Sequence, residues 1–175
     1  FSFSVSISNV TTNDKNTVIS SSLSTLPVII NKAAYCNLKS GIPSNSQLIS
    51  NRAGWIINVE EGVEGAPNNL IDGKTGTDVA LNNKGFWFTV DLGEAKVLTG
   101  IKTNHWANAY APREVEILQS ENGTTWKSLS SLAISGGTQN ITFISPITTR
   151  YLKYQIITIS TNGRTDVTEF NVYEP

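Results

Sequence analysis

The segment GFWFTVDLGEAKVLTGI, residues 85–101, decides the fold because it carries the clearest strand pattern of the chain. Phe86, Phe88 and Val90 occupy alternate positions, which is typical of a β-strand with one buried face. Gly93 follows at a point where the chain can turn, and a second strand-like segment with Val97, Leu98 and Ile101 begins at Lys96. We therefore expect a core strand, a turn and then another strand.

The same kind of pattern recurs along the rest of residues 54–175. Short runs rich in Val, Ile, Thr and aromatic residues alternate with turn residues, whereas only APNNLIDG, residues 66–73, could form a turn or two of helix. Many short strands at this spacing predict an all-β sandwich or barrel. Three of the four tryptophans fall on or beside these strands and are expected to be structural, namely Trp55, Trp87 and Trp126.

The first fifty residues divide into two parts. FSFSVSISNV alternates apolar residues with serine, and an apolar run follows at 26–30, so residues 1–32 are predicted to form a pair of strands from a preceding β domain. Residues 33–50 contain Gly, Pro, Ser and Asn without a sustained period, which predicts a linker. The main domain is expected to occupy residues 51–175.

Composition excludes several classes of function. The 175 residues are 39% hydrophobic and 15% charged, with a net charge of −1 and no basic stripe, so we expect no nucleic-acid partner. No apolar run approaches the ~20 residues that span a bilayer, and no polybasic patch is present, so direct membrane insertion is not expected. With one His, one Cys and no marked pair of carboxylates, the chain is predicted not to be an enzyme.

Several segments together resemble a known family. They are NNLIDGKTGTDVA (68–80), the segment 85–101, VEILQSENGTTWKSL (115–129), and the closing RYLKYQII and TDVTEFNVYE. In this order they resemble the coagulation factor 5/8 type C, or discoidin, domain in its bacterial carbohydrate-binding branch. The resemblance implies an eight-stranded jelly-roll β-sandwich of the galactose-binding-domain type. Residues 1–32 more faintly resemble the last strands of an immunoglobulin-like surface domain of Bacteroidetes.

The resemblance also implies a structural Ca²⁺ site in the loop around Asp72. Calcium takes six to eight oxygen ligands, and a tight loop can supply them from backbone carbonyls and a few side chains. A plain Asx turn, in which Asp72 accepts backbone N–H groups, is the alternative. The implied ligands are the carbonyls of Asn69, Lys74 and Thr168 and the side chains of Asp72, Thr77 and Glu169.

The loop NHWANAYAP, residues 104–112, is the region where sugar-binding relatives hold their ligand. An aromatic ring can cover the C–H face of a sugar while fixed polar groups read its hydroxyls. Trp106 is expected to be the stacking platform, because it is the one tryptophan away from a strand, and Tyr110 is the second choice. Hydrogen bonds to the ligand are expected from His105, Asn104, Asn108 and Arg113.

The predicted function is a non-catalytic carbohydrate-binding module of a secreted or cell-surface glycan-utilisation protein. The expected partners are a glycan and further domains of the same polypeptide, and the expected location is extracellular or the bacterial cell surface, including an outer-membrane lipoprotein. Val79, Ala80 and Leu81 stand where the family's aromatic and galactose-recognising His are common. This departure leaves two alternatives, a protein- or cell-adhesion module and a structural spacer with a decayed sugar site. The acidic cluster Glu60, Glu61 and Glu64 is either a solvated loop or the rim of a ligand site.

Overall fold

The computed structural model describes residues 39–40 and 45–175, all within the second of two units of the chain, Asn31–Pro175. The strand pair predicted for residues 1–32 lies outside the described residues, as does most of the predicted linker. Within the described residues, ten strands form, together with one short 3-10 helix at Pro67–Leu70. The strands are β1 Lys39–Ser40, β2 Gln47–Leu48, β3 Ile56–Val59, β4 Val79–Asn82, β5 Trp87–Asn104, β6 Glu114–Ser120, β7 Lys127–Ala133, β8 Thr138–Thr158, β9 Arg164–Val167 and β10 Glu169–Glu174.

Every strand pairing in the described residues is antiparallel. Eight strands form one sheet with the path β2-β10-β5-β8-β6-β7, to which β1 adds beside β8 and β3 beside β5, while β4 and β9 form a separate two-stranded sheet. The first part of β5 pairs with β3 and its last part pairs with β10, so this strand passes from one layer of a sandwich to the other. The predicted jelly-roll β-sandwich is confirmed.

Two pairs of predicted strands merge into single long strands. Residues 85–93 and 96–103 fall largely in β5, which is 18 residues long, and residues 139–144 and 150–160 fall largely in β8, which is 21 residues long. The expected turn is instead an irregularity in the ladder, with a register shift between Asp91 and Lys96. Gly93 adopts a φ of 81° there, and its N–H donates to Oδ1 of Asp91 at 2.8 Å.

The core lies between the two layers and is built on aromatic contacts. Phe86, Phe88 and Val90 are buried, as their alternation predicts. The ring of Phe88 stacks on Tyr154 at 5.1 Å and meets Phe170 of β10 edge-on at 5.1 Å. Trp55 is buried, Trp87 and Trp126 are half-buried, and Trp106 is 60% exposed.

Part of the predicted linker 33–50 belongs to the sandwich. Lys39–Ser40 pairs with Thr142 and Ile141 of β8, and Gln47–Leu48 pairs with the end of β10. Ile49 is buried and donates its N–H to the carbonyl of Val172 at 3.0 Å. Two-residue strands are held by backbone hydrogen bonds, so they leave no period in the sequence. In the described part of the chain, no helix has the length and apolar character to cross a membrane.

Candidate functional site

The loop between β5 and β6 is held by backbone hydrogen bonds that leave its tryptophan outside. The N–H of His105 donates to the carbonyl of Gly137 at 2.8 Å, and the N–H of Arg113 donates to the carbonyl of Thr158 at 2.9 Å. Between these anchors, the N–H of Tyr110 donates to the carbonyl of Ala107 at 3.0 Å. The loop is therefore a fixed turn, and it presents the indole of Trp106 to solvent.

A cavity of about 210 Å³ opens beside this indole. We call it the Trp106 cavity, and it is lined by Asp78, Trp106, Tyr110, Arg164 and Asp166. Trp106 and Tyr110 were predicted to bind ligand. The three charged residues were not, and they lie on the small sheet or directly before it. Arg164 and Asp166 lie on β9, and Asp78 immediately precedes β4, the strand that pairs with β9.

Arg164 is surrounded by carboxylates. Its Nη1 donates to Oδ2 of Asp78 at 2.9 Å, its Nη2 donates to Oε2 of Glu64 at 3.4 Å, and Nη1 lies 3.7 Å from Oδ2 of Asp166. Burial lowers the pKa of Arg164, but the hydrogen bond and charge of Asp78, together with the charges of Asp166 and Glu64, raise it by more, so the pKa lies above its ordinary value. The guanidinium stays protonated and joins the two strands of the small sheet at the wall of the Trp106 cavity.

Asp166 is the buried member of this group. Its side chain is inaccessible to solvent, and its Oδ1 accepts the backbone N–H of Trp106 at 3.1 Å. Its Oδ2 is buried without a hydrogen-bond donor among the described residues. Burial raises the pKa of Asp166 to about 6, although the N–H of Trp106 acts in the opposite direction. Asp166 thus fixes the backbone of Trp106 and supplies negative charge under the Trp106 cavity.

His105 was predicted to bind ligand, but it is not among the lining residues of the Trp106 cavity. Its side chain is fully buried, and Nδ1 donates to the carbonyl oxygen of Asp166 at 2.5 Å. Since a carbonyl only accepts, Nδ1 carries the proton and Nε2 accepts from the hydroxyl of Thr103 at 3.2 Å. Burial lowers the pKa of His105, with partial compensation from the Asp166 carbonyl. The ring fixes the loop from below.

Three other predicted ligand contacts are bound to neighbouring loops. Asn104 Nδ2 donates to Oγ1 of Thr138 at 3.1 Å, and Oδ1 of Asn108 accepts the N–H of Gly137 at 2.5 Å. Arg113 Nη2 donates to Oγ1 of Thr161 at 3.1 Å. None of Asn104, Asn108 and Arg113 is among the lining residues of the Trp106 cavity.

The acidic cluster predicted from the sequence divides between two roles. Glu64 pairs with Arg164, which lines the Trp106 cavity, while Glu60 forms an ion pair with Lys84 at 2.5 Å. Glu64 is not itself a lining residue, so its place at the rim of a ligand site stays a prediction. Sequence reasoning did not single out Arg164 and Asp166, and the available signal was two charges at alternate positions directly after the Asn162-Gly163 turn.

A second, larger cavity lies at the other end of β6. It measures about 340 Å³ and its lining contains no aromatic side chain. Two of its polar side chains are occupied within the following turn, where Oγ of Ser120 accepts the N–H of Gly123 and Oδ1 of Asn122 accepts the N–H of Thr125. It offers no platform for a sugar ring, so the Trp106 cavity is the better candidate site.

The loop around Asp72 brings several of the predicted metal ligands together. Oδ1 of Asp72 accepts the N–H of Lys74 at 2.8 Å, and Oδ2 accepts the hydroxyl of Thr77 at 2.8 Å. Oγ1 of Thr77 lies 3.5 Å from the carbonyl oxygen of Lys74. Across the loop, Oε2 of Glu169 accepts the N–H of Gly73 at 3.0 Å. Asp72, Lys74, Thr77 and Glu169 therefore lie around one loop.

The remaining two predicted ligands flank that loop. Asn69 Nδ2 donates to the carbonyl of Asp78 at 2.9 Å, and Thr168 donates its N–H to the carbonyl of Asn104 at 2.8 Å. Both side-chain and backbone oxygens here are hard donors of the kind that calcium prefers. No cluster of three or more His, Cys, Asp or Glu suited to a metal occurs in the described residues, so carbonyl and hydroxyl oxygens would have to complete the shell.

Arg52 introduces a competing positive charge that sequence reasoning missed. Its Nη1 donates to Oε1 of Glu169 at 2.5 Å and to the carbonyl of Ile71 at 2.9 Å. Burial raises the pKa of Glu169, and the hydrogen bond from Arg52 partly offsets this. The donor set fits a hard cation by its chemistry, but Glu169 already has a cationic partner on one of its two oxygens.

Comparison with known proteins identifies the family and the fold. The model of the F5/8 type C domain matches residues 50–170. The comparison with curated proteins gave no match. Among solved structures, an F5/8 type C domain from Bacteroides fragilis is 20% identical with a TM-score of 0.63, covering 75% of this chain and 98% of that one.

Two similar structures from Clostridium perfringens contain sugars. The family 32 carbohydrate-binding module of NanJ, in complex with galactose, is 22% identical with a TM-score of 0.61, covering 74% of this chain and 99% of that one. A family 32 module from a family 89 glycoside hydrolase, in complex with GalNAc-β-1,3-galactose, is 18% identical with a TM-score of 0.62, covering 72% of this chain and 99% of that one. The jelly-roll fold and the family match over residues 50–170 lead to one conclusion: the chain belongs to the F5/8 type C domain family.

Proposed function

We propose that this chain is a non-catalytic carbohydrate-binding module and that its glycan binds in the Trp106 cavity. The observation that carries the proposal is an exposed indole next to a wall of paired charges. Trp106 is 60% exposed, and the Asp78–Arg164 pair lies in the same cavity. A flat apolar surface beside fixed donors and acceptors matches the two chemistries of a sugar ring.

Each lining residue has a role in this proposal. The indole of Trp106 covers the C–H face of one sugar ring, and half-buried Tyr110 extends that surface. Asp78 accepts hydrogen bonds from sugar hydroxyls, and Arg164 donates to them. Asp166 acts as a positioning residue, since it holds the backbone N–H of Trp106 and is itself buried.

The carboxylates favour binding over hydrolysis. Asp78 and Asp166 both face the guanidinium of Arg164, and the side chain of Asp166 is inaccessible. A glycosidase would present two accessible carboxyl groups across the scissile bond, about 5–9.5 Å apart. The arrangement in the Trp106 cavity is therefore suited to recognising a sugar.

The complexes of related domains support a sugar ligand. The NanJ module was solved with galactose, and the family 89 hydrolase module with GalNAc-β-1,3-galactose. A secreted or cell-surface glycan-utilisation protein, with further domains in the same polypeptide, is the context that we propose for this module. One shallow site should bind weakly, and neighbouring modules would then supply avidity.

The loop around Asp72 is proposed to bind a structural Ca²⁺. Asp72, Thr77 and Glu169 would contribute side-chain oxygens, and Asn69, Lys74 and Thr168 would contribute carbonyl oxygens. Support comes from the placement of the oxygens, because Asp72 bonds to Lys74 and Thr77 within the loop and Glu169 bonds to Gly73 across it. A bound cation would join the loop to β10.

Substitution of Trp106 tests the sugar site. Trp106→Ala should weaken glycan binding by about tenfold or more, which corresponds to about 1.4 kcal/mol, because the stacking surface is lost. Binding is measured by a glycan array followed by affinity electrophoresis on the polysaccharides that score. Trp106→Phe should retain part of the affinity.

Ile144→Ala is the matched control, since Ile144 is another large apolar side chain, 65% exposed, and does not line the Trp106 cavity. It should bind like the wild type. Equal binding by wild type and Trp106→Ala would place the sugar elsewhere. No binding to any glycan by the wild type would favour the adhesion or spacer alternatives.

A further inference from the structure

The ionisable side chains around the Trp106 cavity are unequal in sign. Three carboxylates, Glu64, Asp78 and Asp166, surround the single guanidinium of Arg164. The five lining residues include no lysine and no second arginine. With all of these groups ionised, the site carries two excess negative charges. Low-dielectric walls make such an imbalance effective at the bottom of a cavity.

Arg164 is not free to receive an anion. Its Nη1 is bonded to Asp78 and lies near Asp166, and its Nη2 is bonded to Glu64. A carboxylate of a ligand would have to displace these partners or approach them closely. Like charges at such distances repel strongly when they are partly shielded from water. Arg164 therefore serves to orient the carboxylates more than to attract an acidic ligand.

Acceptor capacity, by contrast, remains available in the Trp106 cavity. Oδ2 of Asp166 is buried without a hydrogen-bond donor among the described residues, so its negative charge beneath the cavity is only partly balanced by Arg164. The side chain of Asp78 is one-fifth exposed and its carboxylate can accept further hydrogen bonds. The indole face of Trp106 attracts cations. A positively charged donor could hydrogen-bond to Asp78, lie against the indole of Trp106, and be attracted by the buried charge of Asp166.

We propose that the Trp106 cavity ranks sugars by charge, binding amino sugars with a protonated amine most tightly, neutral sugars less tightly and carboxylated sugars least. This ranking rests on the proposed sugar-binding function. The volume of about 210 Å³ lies below the ~300–1,000 Å³ of sites that enclose drug-sized ligands, so the ranking concerns one sugar ring at a time. The ammonium group donates to Asp78, with Asp166 behind it and Trp106 beside it.

The test compares ligands that share a ring and differ only in charge. Methyl glycosides of glucosamine, glucose and glucuronic acid form one series, and those of galactosamine, galactose and galacturonic acid form the other. Dissociation constants are measured with the full chain by NMR titration at neutral pH and low salt. In the series that binds, the amine should bind about threefold or more tightly than the neutral sugar, and the uronide about tenfold more weakly. Higher salt should reduce both differences in affinity, that of the amine and that of the uronide from the neutral sugar.

Two variants that each remove one negative charge test whether the carboxylates near Arg164 cause the ranking. Asp78→Asn and Glu64→Gln keep the shape of the side chain and should reduce the amine-to-uronide ratio severalfold. Glu121→Gln removes the same charge from an exposed position at the far end of β6, about 20 Å away at the rise of a strand, and should leave the ratio unchanged.

The outcomes separate the two claims. A uronide that binds as tightly as its neutral sugar, or a ratio that Glu121→Gln changes as much as Asp78→Asn does, overturns the charge ranking and leaves sugar binding intact. If none of the six glycosides and no member of the glycan array binds, the proposed function fails, and the ranking fails with it.

Discussion

Asp166 shows how one buried carboxyl can organise a surface site. Its Oδ1 holds the N–H of Trp106, its Oδ2 lies 3.7 Å from Arg164, and its backbone carbonyl accepts the ring N–H of His105. The exposed tryptophan therefore depends on an internal charge. Burying a carboxylate with incomplete compensation is costly, and this cost makes the residue sensitive to pH.

Asp166→Asn should change how stability depends on pH. Burial raises the pKa of Asp166 to about 6, so the folded protein keeps this proton at pH values where the unfolded chain, with a pKa of about 4, has released it. The associated stability is complete below about pH 4 and is lost as pH rises through about 6. Asn keeps an acceptor for Trp106 but carries no charge.

The wild type should therefore lose stability relative to Asp166→Asn between about pH 4 and pH 7, by up to about 3 kcal/mol. Urea unfolding at several pH values measures this difference. Asp78, Arg164 and His105 face Asp166 and are present in both proteins, so the comparison isolates the charge of Asp166. Parallel curves for the two proteins would show that Asp166 does not titrate in this window.

Among single residues, the sequence pointed to the exposed Trp106 more readily than to the residues around it. Trp106 could be singled out because it lies off every strand pattern. His105 looked like a loop residue, but Thr103 and the Asp166 backbone give it two buried partners. The Arg164–Asp78 bond joins residues 86 positions apart, and no local pattern encodes a contact at that separation.

Among the elements, β5 and β8 determine the sandwich by belonging to both of its layers. Their pairing continues along most of their length and changes register near Leu98 and Gly100. At Gly100 the two backbones come so close that a Cβ would lie 2.5 Å from the carbonyl oxygen of Ile141. A glycine is therefore needed where the strands approach.

Gly100→Ala should destabilise the protein by about 1–3 kcal/mol, because a backbone carbonyl must move to make room for the methyl group. Gly76→Ala is the matched control, since a Cβ there meets nothing within 4 Å and its φ is not in the left-handed region. The control should stay within about 0.5 kcal/mol of the wild type. Urea unfolding measures both, and equal stability of the two variants would contradict the close approach.

The strand elements were predictable in position but not in extent. Period-two alternation located the buried residues of β5, since it depends only on which face is covered. It could not show that β5 continues through residues 91–96, because the irregular ladder there looks like a turn in sequence. Two-residue strands such as β1 and β2 carry too few side chains to form a pattern.

For the whole molecule, the calcium proposal predicts a change in melting temperature. Removal of Ca²⁺ by a chelator should lower it by several degrees, and added Ca²⁺ should restore it, because a ligand that binds only the folded state stabilises that state. Differential scanning calorimetry with elemental analysis of the untreated protein measures the effect. Asp72→Asn should reduce the response to the chelator, because it removes one of the two carboxylates.

Mg²⁺ added at the same concentration is the control, since it demands a stricter octahedral shell and should restore less stability. An unchanged melting temperature, with no metal found by elemental analysis, would mean that Arg52 alone compensates Glu169. The ion pair between Arg52 and Glu169 would then be sufficient to hold the loop against β10.

The separation of the small sheet from the large one affects how ligand specificity can change in evolution. The lining of the Trp106 cavity comes from the loop at 105–113, from β9 and from the residue before β4, all outside the eight-stranded sheet. The aromatic core contact of Phe88 and Tyr154, by contrast, lies within that sheet. Mutations that alter ligand preference can therefore fall in this loop and the small sheet and leave the aromatic contact of the large sheet in place. New specificities can then arise by single substitutions.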